Sequence, residues 1–194
     1  MKIKILLLLM ILSVISCSTN SENEKPIIKD KIAGQWLMNG SANYGKGYMA
    51  GDQADLETVK AFMDAYENMD AERMVEMSAD TVRFHPADLA GVFKIDMTNT
   101  DFIVDRQSNW DSLSRDYIYL MPLKIEGSKN SVVTTMFTET RFIKDGTQES
   151  TNFYERLYLN EDSKIVRVVQ YSRPTKRRMA QRRPGAASPA LAAV

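Results

Sequence analysis

The sequence predicts an α+β domain in which helices lie on one face of a curved antiparallel sheet. Three features predict it: apolar residues at helical spacing from Leu56, period-two alternation after Asp116, and hairpin turn signals between the alternating runs. Roughly 140 of the 194 residues lie between a polar N-terminal stretch and a basic C-terminal one. That is enough for one domain with its own core.

Each element follows in order. From Gln53 to Asn68, Leu56, Val59, Phe62, Met63 and Tyr66 fall on one helical face, with Asp55, Glu57, Lys60, Asp64 and Glu67 between them. Asp52 or Asp55 can cap the start, because a carboxylate there meets free N–H groups and the positive end of the dipole. Asn68-Met69-Asp70 breaks this helix. Asp70 then caps a second helix, Ala71 to Met77, with Met74, Val75 and Met77 inward. Ser78-Ala79-Asp80 reads as a turn and Thr81 to His85 as a strand, ended by Pro86, which has no N–H for a ladder. A third helix is expected over Asn99 to Leu113, with Phe102, Ile103, Arg106, Trp110 and Leu113 on one face and Asn99 or Thr100 as cap. Four strands close the domain: Asp116 to Glu126 with Pro122 marking an edge or bulge, Ser131 to Lys144, Gln148 to Leu159, and Lys164 to Tyr171. Asp145-Gly146 and Asn160 to Ser163 are the turns between the last three.

The ends carry different information. Lys2 and Lys4 precede an apolar run, Ile5 to Ile15, broken only by Ser13. At roughly ten residues it is too short to span ~30 Å of hydrocarbon, but it suits a secretory signal. Val14-Ile15-Ser16-Cys17 resembles the lipobox of bacterial lipoproteins, with a small residue before the cysteine that is acylated. The resemblance implies membrane lipid as the partner of Cys17, and a mature domain tethered in the cell envelope at the outer membrane or periplasmic face. Cys17 is the only cysteine, so no internal disulfide can form. The organisation expected is a signal over residues 1–17, a tether and N-terminal extension over 18–50, a domain over 51–173, and a disordered basic, Ala- and Pro-rich tail over 174–194.

Charge narrows the partners. Two of the 25 basic residues lie in the signal and five follow Pro174, leaving 18 basic against all 25 acidic residues between. A domain with this acidic balance is not expected to bind nucleic acid. There is no Gly-rich phosphate loop, nucleotide fingerprint or Ser-His-Asp order, and one histidine with one cysteine leaves no recognisable metal-ligand spacing. Neither cofactor nor metal is expected.

The run from Val59 to Glu72, with Ala65-Tyr66 and Asp70, followed by Met74 to Pro86, resembles the opening of SnoaL-like domains of the nuclear transport factor 2-like superfamily. The likeness extends over about Gln53 to Tyr171. It implies a cone-shaped (cystatin-like) fold, with a curved sheet wrapped around a long first helix and two shorter ones. A pocket between helices and sheet and a homodimer through the sheet are also implied. In the ketosteroid isomerase branch of that superfamily the general base precedes a proline at the end of the first strand. Aligned on Asp70 and Pro86, this chain has His85 there, with Asp88 able to orient it. Phe62 stands where that branch has an oxyanion-stabilising tyrosine, and a ring without a hydroxyl cannot take that role. A histidine bonded in the loop, or lining an apolar pocket, is the plainer reading.

Phe62, Tyr66, Trp110, Tyr117 and Tyr119 are the expected pocket lining, for a small apolar ligand. Glu139 and Arg141, two apart on one strand, read as a cross-strand charge ladder. The expected role is an envelope-anchored module that binds a small apolar ligand or a partner protein. The alternative is a cofactor-independent isomerase, cyclase or dehydratase with His85 as base.

Overall fold

The computed structural model describes residues 32–87 and 89–174. They form three helices, α1 (Gln53–Glu67), α2 (Ala71–Glu76) and α3 (Asp101–Gln107). The strands are β1 (Gly34–Gln35), β2 (Gly47–Ala50), β3 (Ser78–His85), β4 (Phe93–Asp96), β5 (Trp110–Ile125), β6 (Ser131–Ile143), β7 (Gln148–Leu159) and β8 (Ile165–Pro174). All eight belong to one sheet, in the order β1-β2-β5-β6-β7-β8-β3-β4. Neighbours are antiparallel except β3 and β8, which are parallel. This is the expected α+β cone, with α1 packed on β5 and β6.

The core sits where the apolar face of α1 meets the inward side chains of the long strands. Val59 and Met63 of α1 are sealed from solvent with Val133 and Phe137 of β6 and Leu157 and Leu159 of β7. Each such burial contributes about 1.5–3 kcal/mol. Leu56, Phe62 and Tyr66 flank them, half-buried. α1 ends as the Asn68-Met69-Asp70 break requires. Met69 takes φ 56°, Met69 N–H donates to Tyr66 O and Asp70 N–H to Ala65 O, which closes the helix with its last carbonyls satisfied. Asp70 then caps α2 by accepting from Arg73 N–H at 3.0 Å. Asp52 precedes α1 without a side-chain cap bond, while Asp55 is buried and accepts from Ser163 Oγ at 2.7 Å.

Several boundaries differ from the expectation. The third helix stops at Gln107, and Trp110 to Leu113 begin β5 instead. Trp110 pairs with Ile143, and Lys144 N–H donates to Asn109 O, so ladder bonds with β6 outweigh a local helical preference. β3 begins at Ser78, within the expected turn. β4, β1 and β2 were not foreseen. Within the expected N-terminal extension, β1 and β2 form a hairpin that adds to the edge of β5. Its exit is tight: Gly51 N–H donates to Pro122 O, and a Cβ on Gly51 would lie 2.8 Å from Leu123 N, so only glycine fits. Pro122 occupies the stretch of β5 just before its pairing with β2 begins.

Candidate functional site: a charged cavity inside the cone

Alternation along each strand decides which side chains reach the space between helices and sheet. On β3, Val82 and Phe84 point inward; Arg83 and His85 point to the opposite, outer side. On β7, Thr151, Phe153, Glu155, Leu157 and Leu159 are all buried, while Tyr154, Arg156 and Tyr158 between them face outward.

The space holds a cavity of about 70 Å³. Phe62 and Tyr66 of α1, Met74 of α2, Val82 and Phe84 of β3 and Val168 of β8 form much of its apolar wall. Phe102, Ile103 and Arg106 of α3, Arg115 of β5 and Gln170 of β8 also line it, with Ile95 of β4.

Arg115 leads into a buried ionic group. Its Nε and Nη2 donate to Glu139 Oε2 at 2.9 and 2.7 Å, and Arg141 Nε donates to Glu139 Oε1 at 2.7 Å. The side chains of Arg115 and Glu139 are only 5% and 2% exposed. Aromatic rings clamp both cations. Arg115 lies 4.4 Å from the Tyr66 ring centre and 4.7 Å from that of Phe137, and Arg141 lies 4.6 Å from that of Trp110. Burial alone would push the Glu139 carboxyl up, but Arg115 and Arg141 outweigh it and hold it below the usual carboxylate range. Glu155 behaves in the opposite way. Burial raises it beyond what Arg115 and the bond from Gln170 Nε2 offset. Burial, and then Glu139, also push the Tyr66 phenol up.

Among the residues singled out from the sequence, Phe62 and Tyr66 line the cavity. Trp110 is buried beside it, edge-on to Tyr66 at 6.1 Å, and Tyr117 packs on Phe137 at 5.7 Å; neither forms the wall. Burial pushes the Tyr117 phenol up to about 12. Tyr119 lies on the outer face. A bulge between Tyr117 and Tyr119 sets Tyr117 opposite Phe137 and Tyr119 opposite Met136, so two residues that a strict period would place together part company.

His85 is outside the cavity, in a shallow surface recess with Pro86, Val169 and Tyr171. Its Nε2 accepts from Arg167 Nε at 3.1 Å. Partial burial, then Arg167 and Arg83, hold the imidazole below its ordinary value, so it is neutral at pH 7. Asp88 and Cys17 lie outside the described residues.

Arg115, Glu155 and Gln170 are not among the site residues expected from the sequence, Arg106 is expected there only on a helix face, and Glu139 with Arg141 only as a cross-strand charge ladder. A signal was present. Glu139 is in phase with Phe137, and Glu155 with Phe153 and Leu157, so each charge sits on the apolar side of its strand. Among the described residues, no three His, Cys, Asp or Glu side chains converge to hold a metal ion. No described helix is long and apolar enough to cross a membrane.

By sequence, no family model and no curated protein matches the chain. By structure, it is similar to the S. rosetta CaMKII hub, at 17% identity and TM-score 0.51, over 62% of this chain and 95% of the hub. An NTF2-like protein of unknown function from Exiguobacterium sp. 255-15 aligns at 15% identity and TM-score 0.49, over 61% of this chain and 99% of that one. The epoxide hydrolase/cyclase-like enzyme SalBIII, from pyran ring formation in the polyether salinomycin, aligns at 14% identity and TM-score 0.49, over 62% and 92%. At such identities the likeness to the hub is one of fold.

Proposed function

We propose that this chain is a lipid-anchored binding module of the cell envelope, whose cavity holds a small, mostly apolar molecule. One observation carries the reading: a cavity walled largely by Phe, Met, Val and Ile side chains lies between α1 and the sheet. Proton transfer by His85 is the competing reading. Against it, the imidazole lies across β3 from the cavity, and its Nε2 is engaged by Arg167. Native mass spectrometry of the protein extracted from its own membrane tests the proposal, with a retained small molecule as the expected result. Turnover that His85→Gln abolishes, at a melting temperature unchanged within a few degrees, would replace binding by catalysis.

The anchor rests on Lys2, Lys4, the apolar run and Ser16-Cys17. Radiolabelled palmitate should enter the protein and be lost in Cys17→Ser. A homodimer through the outer sheet face is supported by a row of side chains across four strands, Tyr119, Met136, Tyr154 and Tyr171, register partners in turn. Tyr119, Met136 and Tyr171 are exposed, the last by 58%. Light scattering should give a dimer mass that Met136→Glu reduces to that of a monomer.

A further inference from the structure

We infer that the cavity selects a compact apolar carboxylate, whose head group is held by the guanidinium groups of Arg106 and Arg115. This deepens the binding reading above and rests on it. Two arginines from different elements, α3 and β5, reach the same small cavity, and no acidic side chain is part of its wall. Arg115 spends two donors on Glu139. Arg106 forms no salt bridge among the described residues; its charge is set over the Phe84 ring, 5.6 Å from the centre.

Arg106 and Arg115 both line the cavity; the Arg115 guanidinium bonds the Glu139 carboxylate, and the Arg115 backbone N–H donates to Glu67 Oε1 at 3.2 Å. Burial raises the Glu155 carboxyl, another buried acid nearby, against the opposing pull of Arg115 and Arg106. The two guanidinium groups stand beside a wall of Met74, Val82, Ile95 and Val168, where low polarisability strengthens their pull on an anion. Guanidinium groups suit a carboxylate because their paired N–H donors match its two oxygens.

Size fixes the rest. A cavity of about 70 Å³, set against the ~10–15 Å³ that one water requires by this measure, takes a ligand of roughly five to seven non-hydrogen atoms. That fits a short-chain acid, and a long acyl chain or a multi-ring product would have to extend beyond the cavity.

The experiment titrates the full chain with butyrate, its neutral isostere butyramide, octanoate and sulfate, reading melting temperature and calorimetric affinity. Butyrate should bind and raise the melting temperature, with butyramide, octanoate and sulfate each weaker by about tenfold or more. Arg106→Gln should lose butyrate affinity by a similar factor, and Arg106→Lys should keep the preference for butyrate over butyramide at reduced affinity. Equal binding of butyrate and butyramide, or full affinity in Arg106→Gln, overturns the inference. So does sulfate or octanoate matching butyrate. If butyramide binds and butyrate does not, the apolar-ligand reading survives and this one fails; if no probe binds, both fail.

Discussion

The two faces of the sheet each carry an arginine packed among aromatic rings, and they solve the same problem differently. Inside, Arg115 lies between Tyr66 and Phe137 and is matched by the Glu139 carboxylate. Outside, Arg156 is surrounded by Trp36, Tyr48 and Tyr158 at 5.4–5.9 Å, with no carboxylate within ion-pair distance among the described residues. Its Nη2 donates to Tyr48 Oη at 2.7 Å, while its Nε and the Trp36 Nε1 have no partner. Ring faces suffice for a cation that keeps contact with water. A cation cut off from water needs a counter-charge, because its desolvation costs several kcal/mol. The inner face is thus committed to its charges, and the outer one is not.

The largest expected effect breaks the inner arrangement. Glu139→Gln leaves Arg115 and Arg141 without a counter-ion and should cost about 3–5 kcal/mol in urea unfolding. If replacing Arg115, Glu139 and Arg141 together by Met, Leu and Met recovers most of that loss, the penalty belongs to the stranded charges and not to the packing. On the outer face, Arg156→Met should cost about 1 kcal/mol or less, because it also removes an unpartnered buried N–H. A loss comparable to that of Glu139→Gln would dissolve the distinction between the faces.

The two inner glutamates sharpen the comparison through pH. Glu139 is held below its ordinary value, so its contribution is present above about pH 4.3 and lost as pH falls through the lower folded value. Glu155 is raised, so its contribution is complete below about pH 4.3 and lost as pH rises through the higher folded value. Stability from urea unfolding across pH 4–9 should therefore fall on the side above about pH 4.3 until the folded value is passed, by at most about 1.4 kcal/mol per pH unit from this one group. Glu155→Gln should flatten that side and leave the acid side unchanged. The smallest effect is expected at His85, where His85→Gln should change stability by about 0.5 kcal/mol or less, since the ring is only partly covered.

Much of the fold was legible because local chemistry and tertiary structure agree. Leu56 to Tyr66 keep their helical face, Asp70 caps α2, Pro86 follows the end of β3, and Gly146 takes φ 84° in its turn. Trp110 and Leu113 misled because residues three apart share a helical face; in β5 a bulge between Trp110 and Ser112 brings both to the buried side. The site was harder to see. Glu139 and Arg141 read as a charge ladder because two opposite charges on one strand face explain each other, although Phe137 in phase with Glu139 marks that face as buried. The bulge at Tyr117–Tyr119 adds a half-turn of phase that no composition signal marks.

The parallel pairing of β3 with β8 bears on how the chain is made. Ser78 finds its neighbour at Ile165 and His85 at Val169, near the far end of the domain. As the chain emerges, α1, α2 and β3 are complete long before that neighbour exists, and the Val82–Phe84 edge waits with only β4 beside it. Closing so wide a loop is entropically slow. Synthesis therefore leaves an interval in which the nascent chain stays open and threadable, and the cone snaps shut only when its last strand arrives.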